Sequence, residues 1–77
     1  MQYHLVHDPR DDEYTILLKS DDTYYYSLSW FDSAEKALTK FNGFLLDPDK
    51  DVTNDSLLTR IRTLAIFTSN SHPEYFL

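Results

Sequence analysis

Three runs rich in apolar residues, separated by charged turns, occupy most of the first 31 positions, and this pattern predicts three β-strands. Residues 2–7 (QYHLVH), 14–19 (YTILLK) and 23–31 (TYYYSLSWF) are rich in aromatic and β-branched side chains, which favour strands. A charged turn over residues 8–13 separates the first two. The short turn 20–22 predicts that the second and third strands form a β-hairpin.

The third strand is predicted to bury one of its two faces, because successive side chains of a strand point in opposite directions. The buried face would hold Tyr24, Tyr26, Leu28 and Trp30. The other face would hold Tyr25, Ser27, Ser29 and Phe31, which leaves Tyr25 exposed and available as an interface anchor.

An amphipathic helix is predicted after the third strand. Asp32 is a suitable N-cap and Glu35 stands three residues later, which is the spacing of a capping box. The following apolar positions have the helical period of 3.6 residues: Ala34, Ala37, Leu38, Phe41, Phe44 and Leu45. Asn42 and Gly43, the single glycine of the chain, predict the end of the helix.

The last third of the chain is ambiguous, because residues 56–68 fit both a helical and a strand period. The β-branched residues near its end favour a fourth strand over residues 60–68, after a helical turn near Asn54. The C-terminal segment 72–77 ends in three large apolar residues. We expect it to pack back on the domain, and a short interaction peptide is the alternative.

These elements predict a small α+β fold: an antiparallel sheet of about four strands, in the order βββαβ, with one amphipathic helix packed on a face. The 77 residues are enough for one domain spanning 1–77 and too few for two. A chain of this length buries only about 60% of its unfolded surface, so the core is expected to be thin and to rely on its aromatic rings.

The charge of the chain narrows the classes of partner. Thirteen acidic and seven basic residues give a formal net charge of −6, which disfavours direct binding to nucleic acid or to an anionic membrane. A protein partner with a basic surface is favoured instead. The absence of cysteine excludes disulfides and thiolate zinc sites, and it favours a reducing, cytoplasmic location.

An acidic loop over residues 47–55 partly matches a calcium-binding pattern. Asp47, Asp49, Asp51 and Asp55 occupy positions 1, 3, 5 and 9 of a twelve-residue window, which are ligand positions in an EF-hand loop. The window has Val52 where the EF-hand has glycine and Leu58 where it has a bidentate glutamate. A weak calcium site therefore stands as an alternative to a solvated turn whose aspartates bond to the backbone.

No arrangement of residues predicts catalysis or a cofactor. His4 and His7 are three residues apart on a strand and point to opposite faces, and His72 has no ligand set around it. No serine stands in a nucleophile-elbow context, and a single glycine excludes a glycine-rich phosphate loop. We therefore expect a protein that is not an enzyme.

The placement of the acidic residues favours an inhibitor or adaptor that binds a basic protein surface, such as that of a nucleic-acid-binding protein. Carboxylates on a rigid scaffold can imitate the phosphates of a nucleic acid. Small acidic phage and mobile-element proteins that inhibit restriction and CRISPR effectors act in this way, an analogy of size and charge alone. The predicted partner-binding residues are Asp11, Asp12, Glu13, Asp21, Asp22, Tyr25, Asp47, Asp49, Asp51 and Asp55. A structural or homo-oligomeric role, through a sheet edge or residues 75–77, is the alternative, and the oligomeric state is left open.

Overall fold

Five antiparallel strands and two short helices make up the computed structural model, which describes residues 2–41, 50–68 and 74–75. In chain order the elements are β1 Gln2–Asp8, β2 Glu13–Ser20, β3 Thr23–Tyr26, α1 Ala34–Lys40, α2 Leu57–Arg60, β4 Arg62–Phe67 and β5 Glu74–Tyr75. The strand order across the sheet is β3-β2-β1-β4-β5. The predicted α+β class, with an antiparallel sheet and a helix on one face, is confirmed.

Strand β1 occupies the centre of the sheet and is covered on both faces. Leu5 pairs with Ile16 of β2 on one side and with Ala65 of β4 on the other. The register to β4 shifts between Leu5 and Val6, as at a β-bulge. Both Leu5 and Val6 are only 1% exposed although they point to opposite faces, so the sheet needs a cover on each side.

Helix α1 covers the first face. Ala37 is fully buried there against Leu5, Ile16 and the other core residues of this face. Its small side chain allows the helix to approach the sheet closely. Phe41 follows the helix and sets its ring edge-on to Tyr3, at a centroid distance of 4.6 Å, and to Phe67, at 5.3 Å. Edge-to-face pairs of this kind add to the stability gained by burial alone.

The ends of α1 differ from the predicted ones. Ser33, not Asp32, is the N-cap, because its hydroxyl accepts a hydrogen bond from the Lys36 N–H at 3.1 Å. Asp32 instead forms an exposed ion pair with the Lys36 ammonium at 2.9 Å. The helix ends at Lys40, and Phe41 takes an extended conformation. The predicted stop at 42–43 and the apolar residues 44–45 lie outside the described residues.

The second face is covered by residues 50–61, a feature that the sequence pattern did not predict. Val52, which is 4% exposed, packs with Val6 and Leu17 of the sheet. The Val52 N–H also donates to the Tyr24 carbonyl at 2.8 Å, and the Thr53 hydroxyl accepts from the Tyr24 N–H at 2.8 Å. The acidic loop therefore carries an apolar residue into the core, and it occupies the outer edge of β3.

The prediction of one buried and one exposed face for the third strand was wrong. The strand ends at Tyr26, and Ser27 is buried, with its hydroxyl donating to the Ile16 carbonyl at 2.6 Å. Tyr25, expected on the exposed face, is half-buried and packs against the core beneath α1. Because α1 and residues 50–61 cover opposite faces of the sheet, both sides of this strand are partly covered.

The ambiguous segment contains both predicted elements. A helical turn occupies Leu57–Arg60, later than the turn expected near Asn54, and strand β4 occupies Arg62–Phe67. Beyond it, Glu74 and Tyr75 pair with Ile66 and Ala65. The backbone of these two residues therefore returns to the sheet as expected, and the rest of the segment 72–77 lies outside the described residues. No helix within the described ranges is long and apolar enough to cross a membrane.

Asp21 offers a test of the β2–β3 hairpin. Asp21 and Asp22 form its two-residue loop, and Asp21 has a φ of 54° whereas Asp22 does not have a positive φ. Glycine is preferred at such a first loop position because it has no Cβ to clash. We expect Asp21→Gly to raise the free energy of unfolding by about 0.5 kcal/mol, measured by urea denaturation. Asp22→Gly removes the same charge and should give no gain, and an equal or larger gain from it would contradict this loop geometry.

Candidate functional site

Three separate parts of the chain meet at the end of the sheet where β1 ends and β2 begins. They are the turn after β1, the residues after β3, and the segment that runs into α2. Together they surround a cleft of about 140 Å³, which we call the acidic cleft. Its charged lining residues are Asp8, Arg10, Asp11, Glu13, Asp55 and Arg60, and Tyr26, Trp30 and Leu57 complete the wall.

Asp8 is the buried anchor of the cleft. It is only 2% exposed, and its two carboxylate oxygens accept from the Arg60 Nε–H at 3.2 and 3.1 Å. One oxygen also accepts from the Arg10 N–H at 3.0 Å. Burial acts to raise the pKa of this carboxyl, but the hydrogen bonds and the positive charges of Arg60 and Arg10 outweigh it and lower the pKa below its usual value. Asp8 is therefore charged at neutral pH, and it ties β1 to α2.

The charges around the cleft do not balance. Four carboxylates and two guanidinium groups line it, which leaves a formal charge of −2. Arg60 is bound to Asp8, and Arg10 Nη2 lies 3.0 Å from an oxygen of Asp11. Glu13 stands directly across the strand pair from Asp8, a like-charge pairing that is unfavourable. Glu13 is a partly buried residue, and its carboxylate makes no hydrogen bond or ion pair with the residues that the structure describes, so its oxygens are open to solvent.

Asp55 contributes its charge through a local backbone motif. One of its carboxylate oxygens accepts from the Leu57 N–H at 2.9 Å, so Asp55 caps the first turn of α2 while Ser56 makes no side-chain cap. This bond fixes the carboxylate beside the cleft.

Two aromatic rings form a wall of the cleft. The Tyr26 and Trp30 rings meet edge-to-face, with centroids 6.2 Å apart and planes at 71°. Burial raises the pKa of the Tyr26 hydroxyl, and the negative charge of Asp55 raises it further. Tyr26 is therefore a neutral phenol at neutral pH. Trp30 is the single tryptophan of the chain, which makes its spectroscopic signals reporters of this cleft.

The structure brings together three of the ten predicted partner-binding residues. Asp11, Glu13 and Asp55 line the acidic cleft. Asp12 lies between Asp11 and Glu13 in sequence but is not among the residues that line the cleft. Its carboxylate accepts a hydrogen bond from the His7 ring at 2.8 Å when that ring nitrogen carries the proton. The backbone φ of Asp12 is 53°.

The other predicted residues lie elsewhere. Asp21 and Asp22 are at the opposite end of β2, whose eight residues extend roughly 23 Å at about 3.3 Å per residue. Asp51 is bridged to Tyr25 at the outer edge of β3. Asp47 and Asp49 lie outside the described residues. The acidic turns therefore do not form one continuous face.

Sequence reasoning missed the residues that organise the cleft. Asp8 and Arg60 are 52 positions apart, and no local pattern connects them. Tyr26 and Trp30 were assigned to the buried face of the third strand, although the wall of a cleft also buries part of a ring. Arg60 could have indicated this pair, because a basic residue at the C-terminal end of a short helix is well placed to bind an acidic side chain.

The described residues contain no group of three or more histidine, aspartate or glutamate side chains placed to hold a metal ion. Two aspartates of the predicted calcium loop are engaged with the backbone, because Asp51 accepts from the Thr53 N–H at 2.8 Å and Asp55 from the Leu57 N–H. Bonds of this kind are those of a turn whose aspartates cap the backbone.

The two N-terminal histidines have separate surroundings. His4 contacts the Tyr24 ring at 5.5 Å, and His7 stacks on Tyr14 at 4.5 Å. Burial, with a smaller contribution from the charge of Lys19, lowers the pKa of His4. His4 is therefore neutral at pH 7 and serves as a packed aromatic ring.

Comparison of the chain with protein-family models, with curated proteins and with solved structures finds no match. The geometry and charge of the acidic cleft are therefore the observations that bear on function.

The Asp8–Arg60 ion pair predicts how stability depends on pH. We expect Asp8→Asn to lower the melting temperature by about 5 °C at pH 7, because it leaves the partly buried Arg60 charge without the carboxylate that pairs with it. The pKa of Asp8 is depressed in the folded protein, so the ion pair stabilises the fold fully above the ordinary pKa of an aspartate. This stabilisation is lost as pH falls through the folded-state pKa of Asp8. The difference between the two proteins should therefore shrink below about pH 4.

Asp32→Asn is the matched control for this measurement, since it removes the same charge from the exposed Asp32–Lys36 pair. Exposed pairs contribute little, so its melting temperature should stay within about 2 °C of wild type. Equal effects of the two substitutions at pH 7, or a difference that persists at low pH, would contradict the assignment.

Proposed function

We propose that this protein is a non-enzymatic binding module, an inhibitor or adaptor, that docks a basic surface of a partner protein at the acidic cleft. The observation that carries the proposal is the convergence of Asp11, Glu13 and Asp55 around one concave site with two aromatic rings. Asp11 and Glu13 come from the turn into β2, whereas Asp55 comes from the segment before α2, far away in sequence.

Charge supports the proposal at long and at short range. The net charge of −6 attracts a basic surface and accelerates encounter. At contact, the formal charge of −2 around the cleft favours cationic groups. Tyrosine and tryptophan are among the residues that contribute most to binding at protein interfaces, and Tyr26 and Trp30 stand beside these carboxylates.

The proposal modifies the idea of a nucleic-acid mimic. If the carboxylates take the place of phosphates, those at the cleft end of the sheet act together, while Asp21 and Asp22 are too distant to join the same small contact. The same negative charge disfavours nucleic acid itself and anionic membranes as ligands. The lack of cysteine fits a partner in a reducing compartment.

Pairing of sheet edges between copies is less favoured on one side of the molecule. The outer edge of β3 is bonded to the 50–53 segment, through the Val52 N–H to the Tyr24 carbonyl and the Tyr25–Asp51 bridge. An occupied edge does not offer free backbone groups to a second copy.

Affinity capture with two charge-matched variants tests the proposed function. Immobilised wild-type protein, Asp11→Asn/Glu13→Gln and Asp21→Asn/Asp22→Asn are each incubated with lysate of the source cells at about 0.05 M and about 0.5 M salt. Retained proteins are identified by mass spectrometry. We expect a basic protein that is retained by wild type and by the hairpin variant, and reduced at least about tenfold with the cleft variant and at high salt.

Both variants lose two negative charges, so the comparison separates the cleft from net charge. Retention that ignores salt would contradict binding to a basic surface. Equal loss in the two variants would show that overall charge, rather than the acidic cleft, governs binding.

A further inference from the structure

The His4 ring is buried on the second face of the sheet, the face that Val6 shares. His4 is only 6% exposed, and its Nε2 lies 3.3 Å from the side-chain oxygen of Gln2. The ring meets the Tyr24 ring edge-to-face, with centroids 5.5 Å apart and planes at 83°. Because His4 is on β1 and Tyr24 is on β3, the two rings meet above β2, which lies between those strands. The His4 ring therefore supports the position of Tyr24.

Tyr24 attaches the segment 50–61 to the outer edge of the sheet. Its carbonyl accepts from the Val52 N–H at 2.8 Å, and its N–H donates to the Thr53 hydroxyl at 2.8 Å. Val52 in turn packs on Val6 and Leu17. A displacement of Tyr24 would weaken both hydrogen bonds and loosen the cover of the second face.

A positive charge already lies beside these two rings. The Lys19 ammonium is 5.7 Å from the centre of the Tyr24 ring. Burial, and then the charge of Lys19, lower the pKa of His4. No carboxylate within the described part of the chain lies at ion-pair distance from the His4 ring. A proton on His4 would therefore add an uncompensated charge to a buried site next to Lys19, which is unfavourable.

The other elements around His4 bring no compensating charge to it. On β4 its partner is Ile66, which does not titrate. On β1, Asp8 shares the face but stands four residues away, roughly 13 Å along the strand, and is bound to Arg60. The segment 50–61 carries two carboxylates, Asp51 and Asp55, each bonded to the backbone of its own turn. Its cations are Lys50 and Arg60.

We propose that His4 is a pH-sensitive switch that releases residues 50–53 from the edge of β3 when its ring takes up a proton. The neutral ring packs against Tyr24 and keeps these residues in place. The charged ring moves toward water and displaces Tyr24, which frees the edge of β3 and uncovers Val6. The switch does not depend on the proposed partner, so its failure would leave the proposed function standing.

The pH range of the switch follows from the direction in which the pKa of His4 is moved. The ordinary pKa of a histidine is 6.5, and that of His4 in the closed protein is lower. The closed form therefore has its full stability above about pH 6.5 and loses stability as pH falls from there to the pKa of the buried ring. Asp8 stays charged throughout this range, because its pKa lies below the usual value for an aspartate. The Asp8–Arg60 pair therefore limits the opening to the edge of β3.

The test is an NMR titration of the wild-type protein from about pH 7.5 to about pH 4.5. The His4 ring signals give its pKa, and amide exchange gives the protection of the Val52 N–H relative to an unstructured peptide at the same pH. We expect a His4 pKa below 6.5 and a fall in Val52 protection of at least about fivefold. The protection of the Thr15 N–H, in the β1–β2 pairing, should stay within about twofold.

Two variants assign the effect to one histidine. His4→Phe keeps an aromatic ring against Tyr24 but cannot take up a proton, so its Val52 protection should not change with pH. His7→Phe is the matched control, since His7 stacks on Tyr14 on the other face, and it should keep the pH dependence of wild type. The wild-type titration needs neither variant to fold.

Three results would overturn the switch. One is a His4 pKa at or above 6.5, and another is Val52 protection that stays constant over the titration. The third is loss of protection at Thr15 equal to that at Val52, because the whole sheet would then respond. Persistence of the pH dependence in His4→Phe would reject His4 as its source.

Discussion

The ion pair between Asp8 and Arg60 joins the parts of the chain that form the acidic cleft. Asp8 is the last residue of the central strand, and Arg60 is the last residue of α2. Their contact, with Nε 3.1 Å from the carboxylate, closes residues 50–61 over the second face of the sheet. That closure brings Asp55 to the acidic cleft and keeps Val52 in the core. The pair also stabilises a buried charge that would otherwise oppose folding.

The small size of the chain explains why one segment supplies both core residues and acidic surface residues. A domain of 77 residues buries a modest fraction of its surface, so a bare second face of the sheet would expose Val6 and Leu17. The segment 50–61 covers them with Val52, Leu58 and Ile61. It presents Asp51 and Asp55 outward, each bonded to the backbone of its own turn. The loop is therefore a core element on one side and a charged surface on the other, and its carboxylates are placed by packing.

The local features of the fold follow from the sequence, whereas its long-range features do not. The aromatic and β-branched residues of 2–7 and 14–19 predict β1 and β2, and the helical period predicts α1, because both signals are carried by neighbouring residues. Ser33 replaced Asp32 as the N-cap because both residues can cap a helix and backbone geometry chooses between them. The burial of Ser27 and Tyr25 could not be predicted, since it depends on residues 50–61 covering the far side of the sheet. For the same reason the sequence predicted acidic loops but not which ones meet, and the Asp8–Arg60 pair that joins them has no local signature.

Amide hydrogen exchange of Arg60→Met, measured residue by residue by NMR, tests this account most directly. The substitution keeps the aliphatic stem of Arg60 and removes the charge that binds Asp8. The N–H groups of Val52, Asp55 and Ile61 donate to backbone carbonyls in wild type. We expect these groups to exchange at least about tenfold faster in the variant. The N–H groups of Leu5 and Ile16, which pair between β1 and β2, should change much less. Unchanged exchange at Val52 and Ile61, or equal acceleration throughout the sheet, would contradict the claim that this ion pair holds residues 50–61 over the second face and forms the acidic cleft.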